Sequence, residues 1–254
     1  MSGRRSIYAL VARALRPYAL QIGFSLYIPF VLFVDGRITT IYEQYALGLL
    51  TFAVLFLAAS LSPSAERRQV WICVLVATGF EIFGSLIWGL YRYRFHNVPL
   101  YVPPGHGLVY LFGLTWARLP VMARHGRLLN RLALAAATCW ALAGLTVLPA
   151  LTGRLDVSGA LCLPWFAWFV LRSPRAGLFT GIFICTSLLE ILGTSFGNWR
   201  WEAVAPYTLV PTGNPPSVIA GGYCVIDGTV LLVAAGLARL AGLNPLRRLR
   251  PAEV

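Results

Sequence analysis

Charged side chains are scarce in this chain, and lysine is absent. Only 12% of the 254 residues are charged, whereas 58% are hydrophobic, and the mean hydropathy is +0.71. A soluble domain of this length normally carries about twice as much charge. A soluble globular protein is therefore a poor interpretation, and the composition indicates an integral membrane protein.

Cysteines are few, and their positions do not suggest pairing. The five cysteines fall inside apolar runs, and their number is odd, which argues against a disulfide framework. No CxxC or HxxxH spacing occurs, which argues against a zinc site. We expect neither a metal nor a cofactor. The cysteines are Cys73, Cys139, Cys162, Cys185 and Cys224.

Long apolar runs are what the sequence has in abundance. A helix of roughly 20 apolar residues spans the hydrocarbon core of a bilayer, and only helices or closed barrels satisfy their backbone groups there. Eight runs qualify, which predicts an all-α, polytopic membrane protein of about eight transmembrane helices. Seven remain possible, because the sixth run is short and contains Pro164. The runs are 17–34, 44–61, 69–90, 107–123, 131–151, 157–171, 176–196 and 217–240.

The arginines predict the orientation of these helices. The net charge of +12 lies in short segments between apolar runs, so it indicates membrane orientation and not a nucleic-acid partner. We expect a multi-pass protein of the cell inner (plasma) membrane with both termini in the cytoplasm. In this orientation only five arginines lie on the outer side: Arg37, Arg92, Arg94, Arg154 and Arg200. The inner ones are Arg4, Arg5, Arg13, Arg16, Arg67, Arg68, Arg118, Arg124, Arg127, Arg131, Arg172, Arg175, Arg239, Arg247, Arg248 and Arg250.

Two stretches of the sequence repeat each other. Glu81-Ile-Phe-Gly84-Ser is followed by Tyr91-Arg-Tyr93 and by a Val-Pro-Pro-Gly-His turn, and Glu190-Ile-Leu-Gly-Thr by Trp199-Arg-Trp201 and Val-Pro-Thr-Gly-Asn. The offset is 109 residues at the glutamates and 108 at the turns. Helices three and four thus correspond to seven and eight, and an even offset gives both copies the same orientation. We expect a parallel duplication of a four-helix unit, with repeats 1–128 and 129–254 in one membrane domain.

Few ionisable groups lie inside the apolar runs. Glu81, Glu190 and Asp227 stand out, because a charged carboxyl at membrane depth costs several kcal/mol and often marks function. We treat all three as candidate catalytic acids. The structural alternative is that each carboxyl only hydrogen-bonds between helices. The carboxyls lack the spacing of a helix-bundle metal site, so no metal is implied.

Polar and aromatic residues of the two outer loops are further candidates. His106 follows Pro103-Pro104-Gly105 at the start of helix four and could act as a proton shuttle, whereas Asn214 at the matching position fits a helix cap. His96 and His125 are expected in solvent. Candidate substrate-binding residues are Tyr91, Tyr93, Asn198, Trp199, Trp201 and Asn214, although an interfacial belt explains the four aromatic residues equally well.

The second copy resembles a known family. Glu190-Ile-Leu-Gly193-Thr194-Ser-Phe-Gly197, followed by Trp201, is similar to the Glu-x-x-Gly-Thr-x-x-Gly…Tyr segment of the membrane carotenoid hydratases of the bisanhydrobacterioruberin hydratase type, with tryptophan in place of tyrosine. That family adds water across a terminal isoprenoid double bond. The resemblance implies that Glu190, and by repeat Glu81, line a cavity for a long hydrocarbon.

These features leave three hypotheses for function. The first is a membrane enzyme that hydrates or isomerises an isoprenoid or other lipid, with Glu81 and Glu190 as acid/base residues supported by His106 and Asp227. The second is a small transporter or channel whose duplicated halves flank a path. The third is a non-catalytic assembly protein whose arginine-rich inner surface binds anionic lipid or a partner. The expected partners are the bilayer and a lipid or isoprenoid molecule, and the sequence leaves the oligomeric state open.

Overall fold

The protein is a bundle of helices. In a computed structural model, which describes residues 16–240 and residue 242, the described chain contains eight helices of 15 residues or more. Arg4, Arg5, Arg13, Arg247, Arg248 and Arg250 lie outside the described residues. The helices are α1 (Ala19–Asp35), α2 (Ile41–Ser60), α3 (Ser64–Glu81), α4 (Val102–Trp116), α5 (Pro120–Leu145), α6 (Val157–Arg172), α7 (Ala176–Ser195) and α8 (Ile219–Leu240), with short helical turns at Arg16–Tyr18 and Leu148–Thr152.

Each predicted apolar run overlaps one of these helices, and the largest difference lies between α4 and α5. The predicted break at 124–130 is helical, because α4 already ends at Trp116 and α5 begins at Pro120. Proline suits the first turn of a helix, where its missing N–H has no intrahelical acceptor. Arg124 and Arg127 therefore lie on α5 and not in a loop.

The apolar helices indicate a membrane protein. Within the described residues, α2, α3 with its continuation to Ile87, α5, α7 and α8 are long and apolar enough to cross a membrane, and α1 and α6 are shorter apolar helices. Large apolar side chains such as Leu26, Leu57 and Leu75 are 67–75% exposed. Water-exposed helix faces rarely carry so many apolar side chains, whereas lipid-facing ones do.

Four helices form the centre of the bundle. α4 packs against α3 and α7, and α8 also packs against α3 and α7. α2 covers α4, and α6 covers α8, so the surroundings of the two helix pairs are similar. α1 lies against α4 and α7, whereas α5 lies against α6 and α7, so the outermost helices break this correspondence.

A two-stranded ladder closes one end of the bundle, which we call the outer end. Strand β1 (Tyr91–Tyr93) pairs antiparallel with β2 (Trp199–Trp201), and Arg92 lies opposite Arg200. Flanking backbone bonds join Glu202 N to Leu90 O at 2.9 Å and Arg94 N to Asn198 O at 3.0 Å. In the sequence repeat, Tyr91 corresponds to Trp199 and Tyr93 to Trp201, whereas in the ladder Tyr91 pairs with Trp201 and Tyr93 with Trp199. A local two-fold axis between Arg92 and Arg200 therefore relates the two strands.

Candidate functional site

Glu81 lies at the outer end of α3 and is 3% exposed. Its Oε2 atom accepts hydrogen bonds from the hydroxyl groups of Tyr91 and Tyr93, both at 2.7 Å. Its Oε1 atom lies 2.8 Å from Nε2 of His106 on α4. Because imidazole nitrogens can donate or accept, the Glu81–His106 pair can hold a proton on either partner.

Glu190 on α7 is 1% exposed and has a different set of partners. Its Oε2 atom accepts from the indole N–H groups of Trp199 and Trp201 at 3.0 and 3.1 Å. Its Oε1 atom accepts from the hydroxyl group of Tyr223 on α8 at 3.0 Å. Indole nitrogens only donate, so this carboxyl is held mainly as a hydrogen-bond acceptor.

Glycine explains the Glu-x-x-Gly pattern of both copies. A Cβ on Gly84 would lie 3.2 Å from the hydroxyl oxygen of Tyr91, and a Cβ on Gly193 would overlap the ring of Trp199. The absent side chain lets the aromatic ring lie along the helix and reach the glutamate one turn earlier. Residues 82–87, which include Gly84, continue α3 as a wider π-helical segment, a form often found at functional sites.

The chain leaves both helices by the same turn. Gly89 and Gly197 have φ angles of +76° and +75°, in the left-handed region that glycine enters without strain. The next residue then donates its backbone N–H back to the helix, from Leu90 to Gly84 O at 2.8 Å and from Asn198 to Gly193 O at 2.9 Å. These matched bonds set the start of each strand, and so the height at which its aromatic residues meet the carboxyl.

The two carboxyl groups are linked by pairs of packed rings. Tyr91, which contacts Glu81, packs against Trp201, which contacts Glu190, with ring centroids 4.6 Å apart. His106 and Tyr223 form a second link, with centroids 5.3 Å apart and an interplanar angle of 17°. The two glutamates therefore belong to one site, on either side of the ladder.

Both carboxyl groups line one pocket. It contains about 630 Å³ of atom-free space, including its open part. The two carboxyl groups and His106 lie at the outer end, whereas the walls deeper in the bundle are mainly apolar, with the hydroxyl groups of Tyr27 and Thr51 as exceptions. Besides Glu81 and Glu190, its lining residues are Tyr27, Ile28, Val31, Leu32, Thr51, Tyr91, Tyr93, Tyr101, Val102, Gly105, His106, Leu108, Val109, Leu189, Trp199 and Tyr223.

Most predicted site residues meet here. Tyr93, Trp199 and Trp201 are each 6% exposed and direct their polar atoms at a glutamate, so they do not form an outward-facing interfacial belt. His106 differs from the prediction, because α4 begins at Val102 and His106 lies within the helix and not at its start. Two prolines in the first turn of α4 explain the earlier start. His96 and His125 are exposed, as expected.

Four predicted residues lie outside the pocket lining, and one of them, Trp201, still donates its indole N–H to Glu190. Asn198 donates to Leu32 O and to Asp35 Oδ2, and Asn214 accepts from the backbone N–H of Trp201 at 2.9 Å. Asp227, one turn beyond Tyr223 on α8, is 5% exposed, and its Oδ2 atom has no hydrogen-bond partner among the described residues. The two asparagines therefore support the outer loops rather than the pocket.

Tyr223 and Asp35 belong to the site but were not predicted from the sequence. Tyr223 is the one tyrosine of α8 and lies one turn before Asp227. This position beside a candidate acid is the sequence feature that could have identified it. Asp35 ends α1 and is fully buried, where it accepts from Gln44 Nε2, Tyr101 hydroxyl and Asn198 Nδ2 at 2.8, 3.0 and 2.6 Å. It thereby ties α1, α2 and both outer loops together at the outer end of the pocket.

The tyrosines of β1 remain neutral. Burial, and then the nearby Glu81 carboxyl, raise the pKa of Tyr91 and of Tyr93 well above the ordinary tyrosine value. Both hydroxyl groups therefore stay protonated and act as donors to Glu81.

Within residues 16–240, no group of three or more His, Cys, Asp or Glu side chains is placed to hold a metal ion.

Comparison of the chain with protein-family models, with curated proteins and with solved structures gives no match.

Proposed function

We propose that this protein is a membrane enzyme that carries out acid/base chemistry on an isoprenoid or another apolar lipid. The observation that carries the proposal is the Glu81–His106 pair, which lies 2.8 Å apart at the polar end of an apolar pocket. A proton donor beside an apolar wall is what protonation of a carbon–carbon double bond requires.

The two glutamates take different roles in this proposal. The Glu81–His106 pair gives a proton to one alkene carbon and later receives one. Glu190, which accepts three hydrogen bonds, stabilises the carbocation when it is ionised. The faces of Tyr91 and Trp199 in the pocket lining offer further stabilisation to a cation.

Hydration and isomerisation share this first step. In hydration, water adds to the cationic carbon and loses one proton to the base, so that one water is added to the double bond. In isomerisation, the cation loses a proton from a neighbouring carbon, so that the double bond moves. The resemblance of residues 190–201 to the carotenoid hydratases favours hydration.

The hydrocarbon enters the pocket from the lipid in this proposal. Tyr27, Ile28 and Val31 of α1 and Thr51 of α2 line the pocket, and the outward faces of both helices are apolar. The hydroxyl group of Tyr27 donates to Thr51 Oγ1 at 3.1 Å, and this bond between the two helices must open for a hydrocarbon to pass. A path between α1 and α2 needs no passage through water.

The decisive experiment compares lipid extracts by mass spectrometry. Cells that lack the gene would be complemented with the wild type, with Glu81→Gln and with Glu202→Gln, a partly exposed control whose carboxylate pairs with Arg92. We expect that cells with the wild type or the control contain a lipid that is absent from cells without the gene. It should differ from its precursor by one water or by the position of one double bond. Glu81→Gln should reduce its formation at least about 100-fold, the usual contribution of a general acid. An unchanged lipid profile at equal protein level would reject the enzyme.

We propose further that all eight helices span the membrane, as two parallel repeats with both termini on the cytoplasmic side. The support is the repeated exit turn at Gly89 and Gly197, the two-fold pairing of β1 with β2, and the matched packing of α3, α4, α7 and α8. The arginine bias gives the orientation. Epitopes inserted at Pro63 and at Tyr207 test it: only the Tyr207 epitope should be accessible from outside intact cells. Exposure of both on one side would refute the eight-span topology.

A further inference from the structure

A second cleft lies at the opposite, inner end of the bundle. It is formed where α4 ends, α5 begins and the loop from α6 enters α7, and it contains about 950 Å³ of atom-free space including its mouth. This end faces away from β1 and β2, so the cleft is separate from the pocket that holds Glu81 and Glu190.

Three arginines reach this cleft from different elements. Arg118 lies in the turn after α4, Arg127 on α5, and Arg175 directly before α7. Arg118 donates to Glu66 Oε1 at 2.8 Å, which neutralises one positive charge. Arg127 and Arg175 have no acidic partner within the described residues. Two uncompensated positive charges thus face the cleft.

The start of α7 adds hydrogen-bond donors. Arg175, the residue before the helix, makes no side-chain cap, and the first turn contains no acidic residue. The backbone N–H groups of Ala176 and Gly177 are unbonded within the described chain, as expected for the first residues of a helix. Both residues line the cleft. A helix start that faces two free guanidinium groups favours an anion.

The floor of the cleft is apolar. Leu114, Met122 and Leu178 line it and are 8%, 8% and 2% exposed. A small inorganic ion would gain no binding energy from this apolar floor, whereas the first carbons of a lipid chain would cover it and bury apolar surface. The combination of guanidinium groups above an apolar floor suits a phospholipid at the surface of the inner leaflet.

We propose that this cleft binds the phosphate group of an anionic phospholipid, held by Arg127, Arg175 and the first N–H groups of α7, with the start of the acyl chains on the apolar floor. The phosphodiester of such a headgroup carries one negative charge, and its two free oxygen atoms can accept hydrogen bonds from both guanidinium groups. This site is independent of the proposed enzymatic activity, because it uses none of the same residues.

Two other arginines of the inner end serve as a control for nonspecific attraction of anionic lipid by positive charge. Arg124 is a neighbour of Arg127 on α5, and Arg172 ends α6 close to Arg175 in sequence, yet neither lines the cleft. All four are exposed, so glutamine at any of them should leave the fold intact. The pairs Arg127/Arg175 and Arg124/Arg172 therefore form a matched comparison at equal loss of charge.

The test measures lipid binding to purified protein by native mass spectrometry. Wild-type protein should bind phosphatidylglycerol more tightly than phosphatidylcholine. The double variant Arg127→Gln/Arg175→Gln should lose at least about tenfold in affinity for phosphatidylglycerol, because it removes two charge-assisted contacts. Arg124→Gln/Arg172→Gln should lose less than about threefold. An equal loss in both double variants, or equal binding of the two lipids by the wild type, would reject the site.

Competition with inorganic phosphate shows whether the ligand is the phosphate group of a lipid or free phosphate. If the headgroup of a lipid is the ligand, millimolar phosphate should compete only weakly, because it gains nothing from Leu114, Met122 and Leu178. If phosphate alone binds to the wild type and not to the Arg127/Arg175 variant, while phosphatidylglycerol does not bind, the lipid assignment is wrong.

Discussion

His106 stacks on Tyr223 with 5.3 Å between their ring centroids, although the two residues belong to different helices and hold different glutamates. The contact couples the position of the Glu81–His106 pair to that of Glu190. Loss of either ring should therefore disturb both carboxyl groups.

Substitutions of Tyr223 separate its ring from its hydroxyl group. Tyr223→Phe keeps the stack but leaves Glu190 Oε1 without its donor, which should lower the free energy of unfolding by about 1.5–3 kcal/mol. Tyr223→Leu should cost about 0.5–1.5 kcal/mol more, because the stack is lost as well. Unfolding in detergent with a chemical denaturant measures both. Equal stability of the Phe variant and the wild type would mean that this hydrogen bond contributes nothing.

Gly193→Ala should displace Trp199. The added methyl group would overlap the indole ring, so the ring must leave Glu190 or the helix must move, at a cost of about 1–3 kcal/mol. Gly79→Ala on α3 is the control, since nothing lies within 4 Å of its added Cβ, and alanine should stabilise the helix by up to about 1 kcal/mol. Thermal unfolding of both variants gives the comparison. A neutral Gly193→Ala would contradict the close approach of the ring.

Asp35→Asn should loosen the outer end of the pocket. The new amide group would face donors from Gln44, Tyr101 and Asn198, so at least one of them loses its acceptor, at about 1–3 kcal/mol. Hydrogen exchange should then increase in the segments around Tyr101 and Asn198. Glu202→Gln, which changes only an exposed ion pair, should leave exchange there unchanged. Similar exchange in both variants would show that Asp35 is not the link.

Alkaline pH should destabilise the protein through Tyr91 and Tyr93. Their pKa values are raised in the folded state by burial and by Glu81, so above the ordinary value of 10.0 the unfolded chain releases protons that the folded chain keeps. The stabilisation is complete below that pH and decreases above it, by up to about 1.4 kcal/mol per pH unit for each tyrosine.

The measurement is the unfolding free energy between about pH 9 and pH 11, where tyrosines ordinarily titrate. The double variant Tyr91→Phe/Tyr93→Phe should be less stable at neutral pH, because Glu81 loses two donors, but its stability should fall less steeply with pH. A slope equal to that of the wild type would show that these hydroxyl groups ionise normally in the folded state.

The sequence was sufficient for the helices and for the glutamates, because both depend on local patterns. Apolar runs located all eight helices, and the repeat around Glu81 and Glu190 singled out the side chains that share the pocket. The boundary at Pro120 was missed, since arginines on the first turns of α5 were read as a loop.

The partners of the glutamates required three dimensions. The repeat places His106 and Asn214 at matching positions, but His106 contacts Glu81, whereas Asn214 accepts from the backbone N–H of Trp201. Tyr223 reaches Glu190 from a helix 33 residues later in the chain. No period or spacing relates such residues, and their contact depends on how α7 packs against α8.

The ladder also bears on how short such a chain could be. Strand β1 has its only described partner in β2, so a polypeptide that stopped before Pro120 would leave both edges of β1 without backbone partners. Two copies of that polypeptide could pair these strands about a two-fold axis and close the end of the bundle together. Under the duplication proposed above, a half-length ancestor would have been complete only as a homodimer, and fusion of the two copies would make that association intramolecular.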